Sequence, residues 1–270
     1  MNGPLVRTAI GAMLATAMIA SAQTPVVPLR ASSGDSTVLI DTQDSTLTVP
    51  FSVGERADYD VKFGALKVGS ASTIVKGIEN VRGISAWHTV FQVKGGTFFY
   101  RVNDVFESWI DRANFSSLRF YQTQQEGSNE RQKRYEIYPD RGTYTEMDKN
   151  PPRDHPGVKN PLDDGSFLFF VRTLPLEVGR TYVSERYFRP EVNPIRVRVL
   201  RKETIEVPAG KFDCVVVQPV IKTKGIFSEN GDAEVWLSDD SRHIVVQLKS
   251  KLSFGSISRL GFDQLNRMAI

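Results

Sequence analysis

The sequence predicts an all-β, mainly antiparallel fold: a curved sheet or open, incomplete β-barrel with a single short helix around residues 163–174. Three observations carry this. From Pro50 onward, apolar and polar residues alternate in short runs. Gly, Asn, Asp or Pro breaks those runs roughly every ten positions, the spacing of consecutive antiparallel strands. Only one stretch departs from this rhythm toward helical spacing.

The first strand is predicted at residues 59–63, where Tyr59, Val61 and Phe63 alternate with Asp60 and Lys62. Gly64 punctuates it, and residues 66–75 resume as the second arm of a hairpin. Strands at 85–94, 98–111, 117–125, 131–138 and 143–147 extend the pattern into a meander. In residues 148–161, Pro151, Pro152, Pro156 and Pro161 each remove a backbone donor and fix φ, which predicts a surface loop. The helix follows. Asp163 and Asp164 suit the positive end of its dipole, Phe167, Leu168, Phe170, Val171 and Leu174 lay an apolar stripe along it, and Pro175 stops it. Strands return at 181–188, 195–207, 212–222, 231–237, 244–252 and 256–262.

The beginning of the chain reads as an address. Arg7 is followed by the uncharged apolar run 9–19, and Ala20-Ser21-Ala22 has the small-x-small pattern of a signal-peptidase site. The run is about half the ~20 residues a spanning helix needs, and Pro25 and Pro28 follow it. Residues 1–22 are therefore expected to be a signal peptide cut after Ala22, residues 23–49 a flexible Ser/Thr/Asp/Pro-rich leader, and residues 50–270 a single β-rich domain. The mature protein is expected to be periplasmic or secreted, and not membrane-spanning. The lone Cys214 can form no internal disulfide, so stability must come from packing and sheet hydrogen bonds.

Composition narrows the chemistry. Lys and Arg total 34 against 31 Asp and Glu, with the excess spread along the chain, which argues against a nucleic-acid partner. The three histidines show no metal-ligand spacing, so neither a metal nor a cofactor is expected. Gly-x-Ser-x-Gly and phosphate-loop patterns are missing. Carboxylates remain. Glu107 and Glu234 each stand two residues from a tryptophan, Trp109 and Trp236, on the same strand face, a pattern open to glycan binding or cleavage and equally to a sheet rim. Asp239 and Asp240 fit a tight turn, and could join Asp163 and Asp164 at a calcium site only if the helix start folds against them. Arg172, beside the apolar stripe, is expected to pair with one of these carboxylates and pin the helix to the sheet. Cys214 stands among valines and is expected to be a buried, inert thiol.

Several phrases resemble a family of exported bacterial proteins defined as a domain of unknown function, DUF3108. They are Pro50-Phe51-Ser52-Val53-Gly54-Glu55 with Tyr59, Leu66-Lys67-Val68-Gly69, and Pro161-Leu162-Asp163 with Arg172. The second half adds Glu203 with Val207-Pro208-Ala209-Gly210-Lys211-Phe212, and Glu234-Val235-Trp236-Leu237-Ser238-Asp239-Asp240. The resemblance implies a periplasmic, β-rich, curved sheet or open barrel, with Asp163, Arg172, Pro208, Gly210, Asp239 and Asp240 as structural motif positions, and it lends no mechanism. The expected function is a non-enzymatic binding or envelope-associated module. Phe167, Phe169 and Phe170 on the helix, with Trp109 and Trp236, are the candidate contacts for an apolar small molecule or lipid. The alternatives are a glycan-active or glycan-binding protein using Glu107 and Glu234, and a purely structural protein contacting other envelope components.

Overall fold

The structure, a computed structural model, describes residues 36–40, 48–63, 65–97, 100–222, 233–250 and 267–269. Among these residues, fifteen strands form one ladder, paired antiparallel except at its first member. In chain order they are β1 Ser36–Leu39, β2 Arg56–Phe63, β3 Leu66–Val81, β4 Ile84–Thr97, β5 Tyr100–Asp111, β6 Ser117–Glu126, β7 Asn129–Tyr138, β8 Thr143–Glu146, β9 Arg153–Pro156, β10 Arg180–Ser184, β11 Ile195–Val207, β12 Gly210–Val220, β13 Glu234–Ser238, β14 Val245–Lys249 and β15 Arg267–Ala269. Among the described residues, one α-helix, α1 Ser166–Val171, lies between β9 and β10.

Two meanders, β2 to β9 and β10 to β14, are joined where β15 pairs with both β14 and β2. Pairing of β9 with β10 would have closed a barrel. That pairing is not made, and the ladder ends at β9 on one side and at β1, added in parallel to β10, on the other. Across the seam between these ends, a bridge from Leu162 to Tyr187 joins the segments that follow β9 and β10, and α1 packs against β5. Among the described residues, no helix is long and apolar enough to cross a membrane.

The antiparallel, unclosed sheet and its one short helix agree with the sequence, while several edges differ. α1 is shorter than residues 163–174 and has six residues, all buried. Its apolar stripe has no solvent side, as expected of a short helix wedged into a core. The proline-rich span read as a loop contains β9, tolerable because an edge strand can leave its outward N–H positions unpaired. β3 runs six residues past the predicted end at residue 75, through a bulge between Val75 and Gly77. β10 stops at Ser184, and a 3-10 turn, Pro190–Val192, follows. Ser36–Leu39, inside the span read as a leader, is strand β1. The predicted signal peptide and the strand at 256–262 lie outside the described residues.

Alternation separates two faces. On β5, Phe106, Ser108 and Ile110 point inward, where Phe106 and Ile110 join the main core, while Glu107 and Trp109 point outward. On β13, Val235 and Leu237 are inward and Trp236 outward. The inward side is rich in aromatic rings, including Phe120, Tyr135 and Phe188, whose centroids lie 5.1–6.3 Å apart. Gly69 and Gly95 face each other across β3 and β4 so closely that a Cβ on Gly69 would lie 2.2 Å from the Lys94 carbonyl oxygen, which explains the glycine of the Leu66–Gly69 phrase.

Candidate functional site

The two ends of α1 gather several of the motif residues. At the start of α1, Asp163 is fully buried and works as a helix cap. Its Oδ1 accepts the amides of Gly165 and Ser166, each at 2.8 Å, and the Ser108 hydroxyl of β5 at 2.5 Å. Ser166 Oγ reciprocates by accepting the Asp163 amide at 2.8 Å, a capping-box exchange, and lies 3.0 Å from Ser117 Oγ of β6. Asp163 Oδ2 is also buried and has no partner. Burial pushes the carboxyl up to about 6, against the pull of the Ser108 hydroxyl and the Ser166 amide, which favour the anion. Gly165 is required here: a Cβ would stand 2.4 Å from Ser108 Oγ. Its neighbour Asp164 is exposed and accepts the Tyr187 hydroxyl at 2.6 Å.

At the other end, Arg172 is buried and joins two distant segments. Its Nη1 and Nη2 donate to the two carboxylate oxygens of Glu55 at 2.6 and 3.1 Å, the forked geometry that suits a guanidinium. Nη2 also donates to the Pro50 carbonyl at 3.1 Å, and Nε and Nη2 to the Arg242 carbonyl at 3.2 and 3.0 Å. The Arg172 carbonyl accepts from His243 Nδ1 at 2.8 Å. The ion pair expected of Arg172 therefore forms with Glu55, and not with the aspartates considered for it. The aspartate turn contributes through its backbone. Asp240 Oδ1 accepts the Ser238 hydroxyl at 2.8 Å and the Arg242 amide at 3.0 Å, shaping the turn that presents the Arg242 carbonyl. Asp239 pairs with Lys202, so the two aspartate pairs do not assemble. Among the described residues, no three His, Cys, Asp or Glu side chains come together in a way that would hold a metal ion.

Phe167, Phe169 and Phe170 are all buried in the main core. Phe169 lines a pocket together with Leu168, Arg172, Glu55 and Tyr59; its volume of about 10 Å³ is room for one water.

The remaining candidates sit on the outer face in two clusters. Trp109 donates its indole N–H to Glu79 at 2.7 Å and stacks on His88 at 4.3 Å. His88 places Nδ1 2.7 Å from Glu79 and Nε2 3.1 Å from Glu107, which also meets Lys76 at 3.3 Å. The hydrogen bond from His88 and the Lys76 ammonium hold Glu107 below the usual carboxylate range, against partial burial. In the second cluster Trp236 donates to Glu203 at 2.5 Å, and Arg201 bridges Glu203 and Glu234 at 3.1 and 2.9 Å. Both tryptophans are buried, and Glu107 and Glu234 belong to different clusters with different partners. Cys214 is buried beneath Trp236, and burial raises its thiol to about 11. Pro208 and Gly210 form the β11–β12 hairpin turn, Gly210 at φ 132°. Sequence reading missed Glu55 as the partner of Arg172, although it stands in the opening motif. It also missed Gly165, Ser108, Ser117 and Ser166, which carry no pattern until β5, β6 and α1 meet.

An unclosed antiparallel meander plugged by one buried helix, with motif residues at both helix ends, defines a β-rich module of the single-helix kind. A profile of the family described as "Protein of unknown function (DUF3108)" matches residues 58–260, and the chain belongs to that family. The matched span includes Asp163, Arg172 and the aspartate turn, while Glu55 precedes it. No curated protein and no solved structure matches the chain.

Proposed function

We propose that this chain is an exported, non-catalytic binding module of the cell envelope whose interior, beneath α1, receives an apolar, lipid-like ligand. One observation carries the reading: the strand ladder is not closed, and its aromatic interior packs against α1, a six-residue helix held by contacts at its two ends. Elsewhere, opening the interior would break rows of ladder hydrogen bonds, whereas moving α1 costs its packing and the contacts at its two ends. The small pocket at Phe169 marks where space already exists, and a ligand of lipid size needs α1 to shift. The polar groups support a non-catalytic role, because Glu107 and Glu234 are each tied into their own ion pairs.

The test is native mass spectrometry of protein purified from the envelope fraction, combined with titration by an apolar fluorescent probe. A co-purified lipid or saturable probe binding is expected, and Phe169→Ala, which enlarges the pocket, should bind a small probe more tightly. Failure of both wild type and variant to take up any apolar ligand would leave the purely structural role.

A further inference from the structure

Asp163 combines features that a simple helix cap does not need. Its carboxyl is fully buried, three donors converge on Oδ1, and Oδ2 has none. An ionised carboxylate there leaves a fully buried oxygen without a protein donor, whereas the neutral acid keeps the Oδ1 bonds and removes the buried charge. No cation stands among the groups that act on its carboxyl, and the buried Arg186 guanidinium, which lies over the Phe170 ring of α1, donates to the Asn160, Asn114 and Phe115 carbonyls. β5 offers the Ser108 hydroxyl, and the Ser117 hydroxyl of β6, which also meets Ser166, favours the anion. The adjoining carboxylate, Asp164, disfavours a second negative charge. Beyond it, Tyr187 bonds Asp164, and Arg189 Nη2 donates to the Tyr187 hydroxyl at 3.2 Å. The Arg172 guanidinium is committed to Glu55 at the opposite end of α1.

We infer that Asp163 is a proton-operated lock on α1: with its carboxyl neutral the helix start is held against β5 and β6, and ionisation loosens it, so the interior is more accessible at neutral than at acidic pH. The last clause rests on the apolar-ligand reading; the lock itself does not. The sign follows from the direction of the shift. Burial raises the folded-state value from 3.8 to about 6, so the lock is fully engaged below about pH 4 and is lost as pH rises through about 6. A shift of about two pH units corresponds to a change of up to roughly 100-fold in the local opening equilibrium.

Hydrogen exchange of the full-length protein, corrected for intrinsic rates, tests this between about pH 4.5 and pH 7.5. Protection of the α1 amides should fall by up to roughly 100-fold across that range while the β11–β12 amides keep theirs. Asp163→Asn should flatten the dependence. Wild-type protection that stays constant or rises with pH, or an Asp163→Asn protein that keeps the wild-type dependence, overturns the lock. If the variant does not fold, the ¹³C shift of the Asp163 carboxyl in the wild type decides: titration near 6 supports the lock, and titration below 4 defeats it. Apolar-probe binding measured over the same range separates the two ideas, since pH-dependent exchange with no probe uptake keeps the lock and removes the ligand.

Discussion

The two ends of α1 are both buried, and they are held by opposite means. Asp163 is a carboxyl held by two backbone amides of its own turn and by the Ser108 hydroxyl of β5, 55 residues away. Arg172 is a guanidinium with a forked carboxylate partner 117 residues away, a carbonyl from the same stretch as that partner and another from the turn after β13. The first end is held mostly from its own turn and is keyed to a proton; the second is held wholly from distant segments and is keyed to the fold. The charged pair at the Arg172 end makes removal of one partner costly, because the other is left buried or half-buried without compensation.

The largest expected effect is therefore at Arg172. Arg172→Met should cost about 3–5 kcal/mol, measured by denaturant unfolding, because it strands Glu55 and leaves the Pro50 and Arg242 carbonyls without their donor. Pairing it with Glu55→Gln should recover part of that loss. A double variant no more stable than Arg172→Met would show that the carbonyl contacts outweigh the ion pair.

Next comes Gly165→Ala at the other end. The added Cβ would approach Ser108 Oγ to 2.4 Å, so α1 must lift or Ser108 must turn away from Asp163, for about 1–3 kcal/mol. Ser108→Ala in the same chain should relieve the clash, and failure of that rescue would place the strain elsewhere in the turn.

The comparison also shows what a sequence can and cannot reveal. Strand alternation is local, so the meander of β2 to β8 and the β11–β12 hairpin were readable from single stretches, and β11 matches its predicted bounds, 195–207. β1 and β9 were not, because four-residue edge strands carry too little alternation and the prolines around β9 obscured it. Arg172 was visible as an ion-pairing residue, but its partner was not, since the choice of Glu55 depends on how the segment before β2 returns beneath the helix. The tryptophan clusters illustrate the same limit. Alternation placed Glu107 with Trp109 and Glu234 with Trp236, yet the indole partners Glu79 and Glu203 came from neighbouring strands. The aromatic residues of α1 were legible as apolar and illegible as wholly buried, because burial all round a short helix is set by the strands and loops that meet around it.

The smallest expected effect sharpens the contrast at the Asp163 end. Ser108→Ala removes one of three donors to Oδ1 and leaves the Gly165 and Ser166 amides in place, so at acidic pH, where the carboxyl is neutral, the loss should be only about 1 kcal/mol. The Ser108 hydroxyl favours the anion, and without it the folded-state value rises further above 3.8. The cost of the substitution should therefore grow as pH rises through about 6, where the wild type ionises with that donor and the variant must do so without it. Unfolding curves for both proteins on either side of that pH measure the difference. A cost that is the same at both values would mean that Ser108 packs against Gly165 and does not act on the Asp163 proton.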